Sequence, residues 1–246
     1  DFRSRLYTFA LDDDADRLFG VYYGVPTAPR KLALSTTATV MPRELVHQID
    51  TSRIVPCSAQ LNFYTKAFKL DAIQRQIPGA LDSMTEGRRK AFDGLRQLFN
   101  HGNGERMTYQ AAAHAAATKC YHHGSVSIEN AIIGMAQSFP GKRPVPVLIG
   151  SGAFGTQIEG GKDAASPRYT RISLNVDVCK LLYPPVDDWN LRYVYSDGQQ
   201  AEPVSFIPIV CTTVIDNMTT PSEGWRYHSW GRRVSQVFEI TLAFCD

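Results

Sequence analysis

The run GSGAFGTQIEGGKDAASPRY, residues 150–169, carries the residue types best suited to chemistry in this chain. Gly150, Gly152, Gly155, Gly160 and Gly161 allow a backbone to pass very close to a ligand. Lys162 and Arg168 add positive charge, and Tyr169 ends the run at the head of a strand-like segment. Glycines and cations together make a phosphate cradle. Taken alone, the glycines read equally as tight turns and the tyrosine as a packing residue. The spacing by itself names no reaction.

Two other constellations carry less. His114, Cys120, His122 and His123 lie close in sequence. Adjacent histidines at one helix end point about 100° apart, and no second ligand pair accompanies them, so zinc is disfavoured. Cys57, Cys120, Cys179, Cys211 and Cys245 are odd in number and contain no CxxC, which argues against a disulfide framework and fits a reducing compartment.

Charge is distributed unevenly. The net charge of +2 hides a middle segment, residues 66–180, with 15 basic and 9 acidic side chains, followed by residues 181–246 with 4 and 8. A polyanion would be held in the middle. A hydrophobic content of 43% and a charged content of 20% exclude wholesale disorder. No run approaches the roughly 18 apolar residues of a membrane span, and the N-terminal apolar patch is too short for a signal peptide. The first residue is Asp rather than Met, so a piece of a longer chain is expected.

These residues need elements to position them. Prolines 26, 29, 42 and 56 predict an irregular lead-in over residues 1–57. Helical patterning begins at Ser58, with Leu61, Tyr64, Phe68 and Leu70 apolar, and stops at Pro78-Gly79. Thr85 caps a second helix whose Ala91, Phe92, Leu95, Leu98 and Phe99 form one stripe. HGNG at 101–104 reads as a turn. An alanine-rich helix from about 108 to 122, suited to close helix approach, ends at Gly124. A fourth helix runs from about 127 to 139. Short β-branched runs joined by glycines follow. Three helices followed by a hairpin is the order of a winged helix. LRYVYSD, SFIPIVCTTVID and VSQVFEITLAF read as strand-like pieces, giving an α+β chain.

The order of the words adds what the spacing lacks. GGKDAASPRY at 160–169 closely resembles the DNA breakage–reunion region of type II topoisomerases of the eukaryotic and large-DNA-virus kind. IPGALDSMTEGRRKAFDGL at 77–95, YHHGSVSIENAIIGMAQSF at 121–139 and AEPVSFIPIV at 201–210 are similar to further segments of that family. The likeness covers about residues 12–225.

The resemblance implies roles. Tyr169 would be the nucleophile, forming a 5′-phosphotyrosyl link and freeing a 3′ hydroxyl. Arg168 would favour phenolate and steady the phosphate, since a free tyrosine has a pKa near 10. Arg89 and His123 would donate to the scissile phosphate. Lys162, Arg88, Lys90, Lys142 and Arg143 would contact the DNA backbone. Asp12, Asp14 and Asp16 form a D-x-D-x-D string, but their context matches an acidic stretch after the family's metal-binding domain. No metal ligand is therefore expected in this chain, and Mg²⁺ and ATP would be bound by domains it lacks.

Three departures stand out. The family's Gly-Thr-Arg is Gly155-Thr156-Gln157, which would remove a phosphate contact. The family's DNA-wedging isoleucine falls on Pro221 within DNMTTPSEGW, and proline too can wedge base steps. The sequence after Trp225 diverges.

The reading is an α+β winged-helix fragment of an ATP-dependent type II topoisomerase, a homodimeric isomerase of double-stranded DNA, nuclear or viral. Its expected divisions are a linker over 1–57, a winged-helix DNA-cleavage domain over 58–183, and the start of a tower or shoulder domain over 184–246. The alternative is a catalytically inert winged-helix module that binds or bends DNA.

Overall fold

Pro29, Pro42 and Pro56 do not break the N-terminal quarter into loops; they begin its helices. The computed structural model describes residues 8–35, 41–100, 102 and 104–245. Strand β1 (Thr8–Ala10) is followed by α1 (Ala15–Tyr23), α2 (Ala28–Ser35) and α3 (Arg43–Ser52). Pro29 sits in the first turn of α2, and Pro42 is the N-cap of α3. At a helix start a missing N–H costs nothing and the fixed φ is already helical. The expected irregular lead-in is therefore corrected to three helices. β2 (Ile54–Pro56) pairs in parallel with β1, and Pro56 caps a helical stretch. That stretch comprises α4 (Cys57–Ala59), a π segment (Gln60–Thr65) and α5 (Lys66–Gln76).

The described residues divide into two units, 1–76 with 221–226, and 77–220 with 227–246. The first division thus falls after Gln76, and residues 58–76 group with the N-terminal helices. The small core of this unit holds Leu18, Tyr22, Leu34 and Leu61. Its acidic string is structural. The Asp12 carboxylate accepts the Ser58 backbone N–H at 3.1 Å and the Ser58 hydroxyl, Asp14 pairs with Arg17 at the surface, and Asp16 lies in the first turn of α1.

The second unit is built on α6 (Glu86–Phe99), β3 (Arg106–Met107), α7 (Thr108–Thr118), α8 (Ser125–Ala136), β4 (Leu148–Ser151) and β5 (Arg171–Leu174). The three strands form an antiparallel sheet in the order β3-β5-β4. Three helices with this sheet are the winged-helix arrangement the sequence predicts. Of the expected turn at 101–104, His101 and Asn103 lie outside the described residues. Gly124 proves to be the N-cap of α8 rather than the stop of α7.

Phe92, Leu95, Ile128, Ile132, Leu148 and Ile172 are fully buried in one core. The small size of alanine is used in α7, where Ala111, Ala112 and Ala115 are buried. A Cβ on Gly94 would lie 2.7 Å from the Ala115 Cα, so α6 and α7 meet backbone to backbone. Gly94→Val should therefore destabilise the protein by about 2 kcal/mol or more, read as a Tm lower by several degrees in calorimetry. Gly20→Ala, where nothing lies within 4 Å, is the control expected to leave Tm unchanged or slightly raised.

The remainder runs through α9 (Val176–Leu182), a 3₁₀ turn (Pro185–Asn190), the hairpin β6 (Tyr193–Ser196) and β7 (Gln199–Pro203), and a 3₁₀ turn (Thr212–Val214). The hairpin β8 (Met218–Ser222) and β9 (Trp225–Ser229) and then α10 (Val234–Cys245) complete it. Two strand expectations are corrected. SFIPIVCTTVID is loop and 3₁₀ turn. VSQVFEITLAF is α10, whose Val234, Val237 and Phe238 pack on the core at helical spacing; its β-branched and aromatic content concealed that period. No helix among the described residues is long and apolar enough to cross a membrane.

Candidate functional site

The buried residue after Tyr169 sets its position. Thr170 is fully buried, its carbonyl accepts the Thr108 N–H at 3.0 Å, and the two threonine hydroxyls share a hydrogen bond of 2.8 Å. Arg171 pairs with Met107 across β5 and β3. The start of β5 is thus clamped to the start of α7, and the Tyr169 N–H donates to the Ser166 carbonyl at 2.8 Å. The Tyr169 side chain is 73% exposed, and Arg168 beside it is exposed too. Both line a groove of about 510 Å³ with Met107, Tyr109, Glu129, Ser166 and Pro167.

The glycine run is a folded loop rather than a slack one. The buried Gln137, at the end of α8, donates its amide to the Phe154 carbonyl at 2.8 Å and the Gly161 carbonyl at 3.0 Å. Gly155 and Gly161 have φ of +84° and +77°, and a Cβ on Gly161 would meet the Gln137 amide nitrogen at 2.4 Å. Only glycine fits there. Asp163 accepts the Thr156 N–H at 2.8 Å, and that hydrogen bond holds its carboxyl below the usual carboxylate range. Gln157 lies exposed in this loop.

Arg89 is mostly buried, with Nε donating to Asp82 Oδ2 at 2.8 Å and Nη2 to the Met84 carbonyl at 2.9 Å. Asp82 is wholly buried and also accepts the Met84 N–H at 3.0 Å, the Phe206 N–H at 2.9 Å and the Ser205 hydroxyl at 3.3 Å. The Leu-Asp and Glu-Pro segments of the sequence thereby meet around one carboxylate that orients Arg89. His123 is exposed before α8, with its ring edge-on to Tyr121 at 5.3 Å. Tyr121 in turn lies against Gly87 in the first turns of α6; a Cβ there would be 3.5 Å from its ring. His123 and the helix that carries Arg89 are thus linked through one aromatic ring. Neither residue borders the groove of Tyr169.

Of the five expected backbone contacts, two face inward. Lys90 is buried, with Nζ 2.8 Å from Glu202 and donating to the Lys119 carbonyl at 3.2 Å. Arg143 is buried against Asp216 at 2.9 Å. Both neutralise buried carboxylates, as the interior requires, and are corrected to structural residues.

Arg88, Lys142 and Lys162 remain. Arg88 and Lys142 line a cavity of about 240 Å³ with Thr219 and Thr220. Burial, followed by the Arg143 charge, pushes Arg88 down to about 10. Burial, then Arg88 and Lys162, lowers Lys142. Crowded like charges of this kind are what an anion relieves.

Pro221 is exposed but lies inside β8; the turn of the hairpin is Glu223-Gly224, at φ of +41° and +90°. Glu223 pairs with Lys69, and Lys31 sits over the Trp225 ring. The apex is therefore not a proline.

Among the described residues no three His, Cys, Asp or Glu side chains converge so as to hold a metal ion. His122 pairs instead with Asp197 at 2.9 Å. The five cysteines are unpaired thiols.

A family profile described as DNA gyrase/topoisomerase IV matches residues 75–227. The chain is 41% identical over all 246 residues to DNA topoisomerase 2 of African swine fever virus (isolate Tick/Malawi/Lil 20-1/1983), of which it covers 21%. It is 37% identical over 153 residues to human DNA topoisomerase 2-alpha, covering 62% of this chain and 10% of the relative. The chain therefore spans about a fifth of the length of its viral relative. The fold is that of the Plasmodium falciparum topoisomerase II DNA-binding, cleavage and re-ligation domain, with a TM-score of 0.78 and 24% identity over 94% of this chain and 31% of that one.

Proposed function

We propose, from the premise that this chain belongs to the DNA gyrase/topoisomerase IV family, that it is the strand-cleaving part of a type II DNA topoisomerase acting on duplex DNA. The observation that carries this reading is the exposed Tyr169 and Arg168 pair on a rigidly clamped strand, with both side chains unbonded among the described residues. The tyrosine oxygen attacks a backbone phosphorus. An O–P bond to Tyr169 forms, the P–O3′ bond breaks, the phenolic proton leaves to solvent or base, and the 3′ oxygen takes a proton. Arg168 stabilises the charge that develops on the phosphoryl oxygens. The ester keeps the phosphoryl group activated, so the 3′ hydroxyl reseals the strand by the reverse step.

Arg89, held by Asp82, and His123 serve a phosphate of the cleaved duplex. Arg88, Lys142 and Lys162 hold the DNA backbone. The whole enzyme acts as a homodimer that passes a second duplex through the break, in a nucleus or at a site of viral replication. Mg²⁺ and ATP belong to domains outside this chain, since its buried carboxylates are already engaged by its own cations.

Denaturing the full-length protein on radiolabelled supercoiled DNA should trap protein on 5′ ends, and peptide mapping should place the link on Tyr169. A link to any other residue overturns the assignment.

DNA affinity of the full-length protein should fall steeply with salt. Lys142→Ala and Lys162→Ala should each reduce the slope of log K against log salt by about 0.9. Lys90→Ala should leave the slope unchanged and lower stability instead by about 3 kcal/mol. Equal slopes in the lysine 142 and 162 variants and the parent would remove those residues from the interface.

A further inference from the structure

Glu129 is an unexpected residue to find beside a nucleophile for DNA. It stands on α8 and lines the groove that holds Tyr169, Arg168 and Tyr109. No hydrogen bond or ion pair engages its carboxylate among the described residues, although the middle of the chain is rich in cations. Other carboxylates of this unit are occupied: Asp163 by the Thr156 N–H, Asp82 by Arg89, Asp93 by Lys119 and Glu105 by Arg171 at 3.7 Å.

An unpaired carboxylate close to the path of a polyanion weakens binding unless the nucleic acid supplies it with a donor. Phosphates supply none. In the major groove, cytosine offers its N4 amino group and adenine its N6 amino group, whereas guanine and thymine present acceptors at O6 and O4. A helix of this fold laid in the major groove brings its side chains to base edges. Glutamate pairs best with cytosine N4.

We propose that Glu129 is a specificity-determining residue. Across the Tyr169 groove it accepts a hydrogen bond from an amino-bearing base, cytosine foremost, next to the scissile phosphate, and it repels guanine and thymine at that position. This rests on Tyr169 being the nucleophile. Glu129 itself takes no part in the bond changes.

The test is sequencing of the 5′ ends trapped by the full-length enzyme on random-sequence duplex DNA, for the parent, Glu129→Gln and Glu129→Ala. In the parent one position flanking the cut should favour cytosine over guanine by roughly tenfold. Glu129→Ala should flatten that position to within about twofold. Glu129→Gln should move it toward adenine, since an amide donates to N7 while accepting from N6. All other positions should keep their preferences. Identical base profiles in the three proteins overturn the inference. So does loss of trapped ends in both variants at unaltered DNA affinity, which would make Glu129 part of the chemistry. If the parent traps no 5′ ends at all, the cleavage reading fails first, and that outcome is distinguishable from either.

Discussion

Tyr169→Phe in the full-length enzyme should retain duplex binding and its salt dependence but yield no covalent protein–DNA adduct, a loss of roughly three orders of magnitude or more. The substitution removes one oxygen from a side chain that is 73% exposed and bonded to nothing among the described residues. Its effect on folding should therefore stay within about 0.5 kcal/mol. The clamp that sets the tyrosine, Thr108 on Thr170, is untouched. Binding and chemistry are thereby separated. Arg168→Ala keeps the nucleophile and loses the adjacent charge, so adduct formation should fall by about a hundredfold, not to zero. Adducts at the parent level from Tyr169→Phe would leave only a passive duplex grip.

Asp82→Ala should be the most damaging single change to stability, costing about 3–5 kcal/mol. It strands the mostly buried Arg89 guanidinium without its partner and orphans the Met84 and Phe206 N–H groups at once. The loss should appear as a lower denaturation midpoint with unchanged slope. Asp82→Asn retains an acceptor for those N–H groups but not the charge. It should fold better than the alanine variant while still weakening cleavage, because Arg89 is no longer fixed toward a phosphate. A stability change below about 1 kcal/mol for Asp82→Ala would mean that the Leu-Asp and Glu-Pro segments are not held through this carboxylate.

Much of the second unit was legible in the residues. The apolar stripe from Ala91 to Phe99, the alanine run of α7 and the glycine run before Tyr169 each follow from a local rule, a 3.6-residue period, a need for close approach, or a need for positive φ. The helices α1 to α3 were not, because a proline reads the same whether it ends a segment or starts one. The helix α10 was not, because Val234, Val237 and Phe238 have strand-like chemistry on a helical period.

The site shows the same limit more sharply. Sequence alone determined that Arg168 and Tyr169 adjoin and that cations gather in the middle of the chain. It could not say which cations are free. Lys90 and Lys142 are the same residue type; one is buried on Glu202 and the other borders an open cavity. That difference depends on partners 112 positions away from Lys90 and on which helix face is covered, quantities no local pattern carries. Likewise Gln137 and Asp82 are ordinary residues until folding brings the Gly161 carbonyl to one and Arg89 to the other. Covalent order fixes neighbours along the chain, whereas desolvation decides, only once the core has closed, which charges must pair inside and which remain to meet DNA.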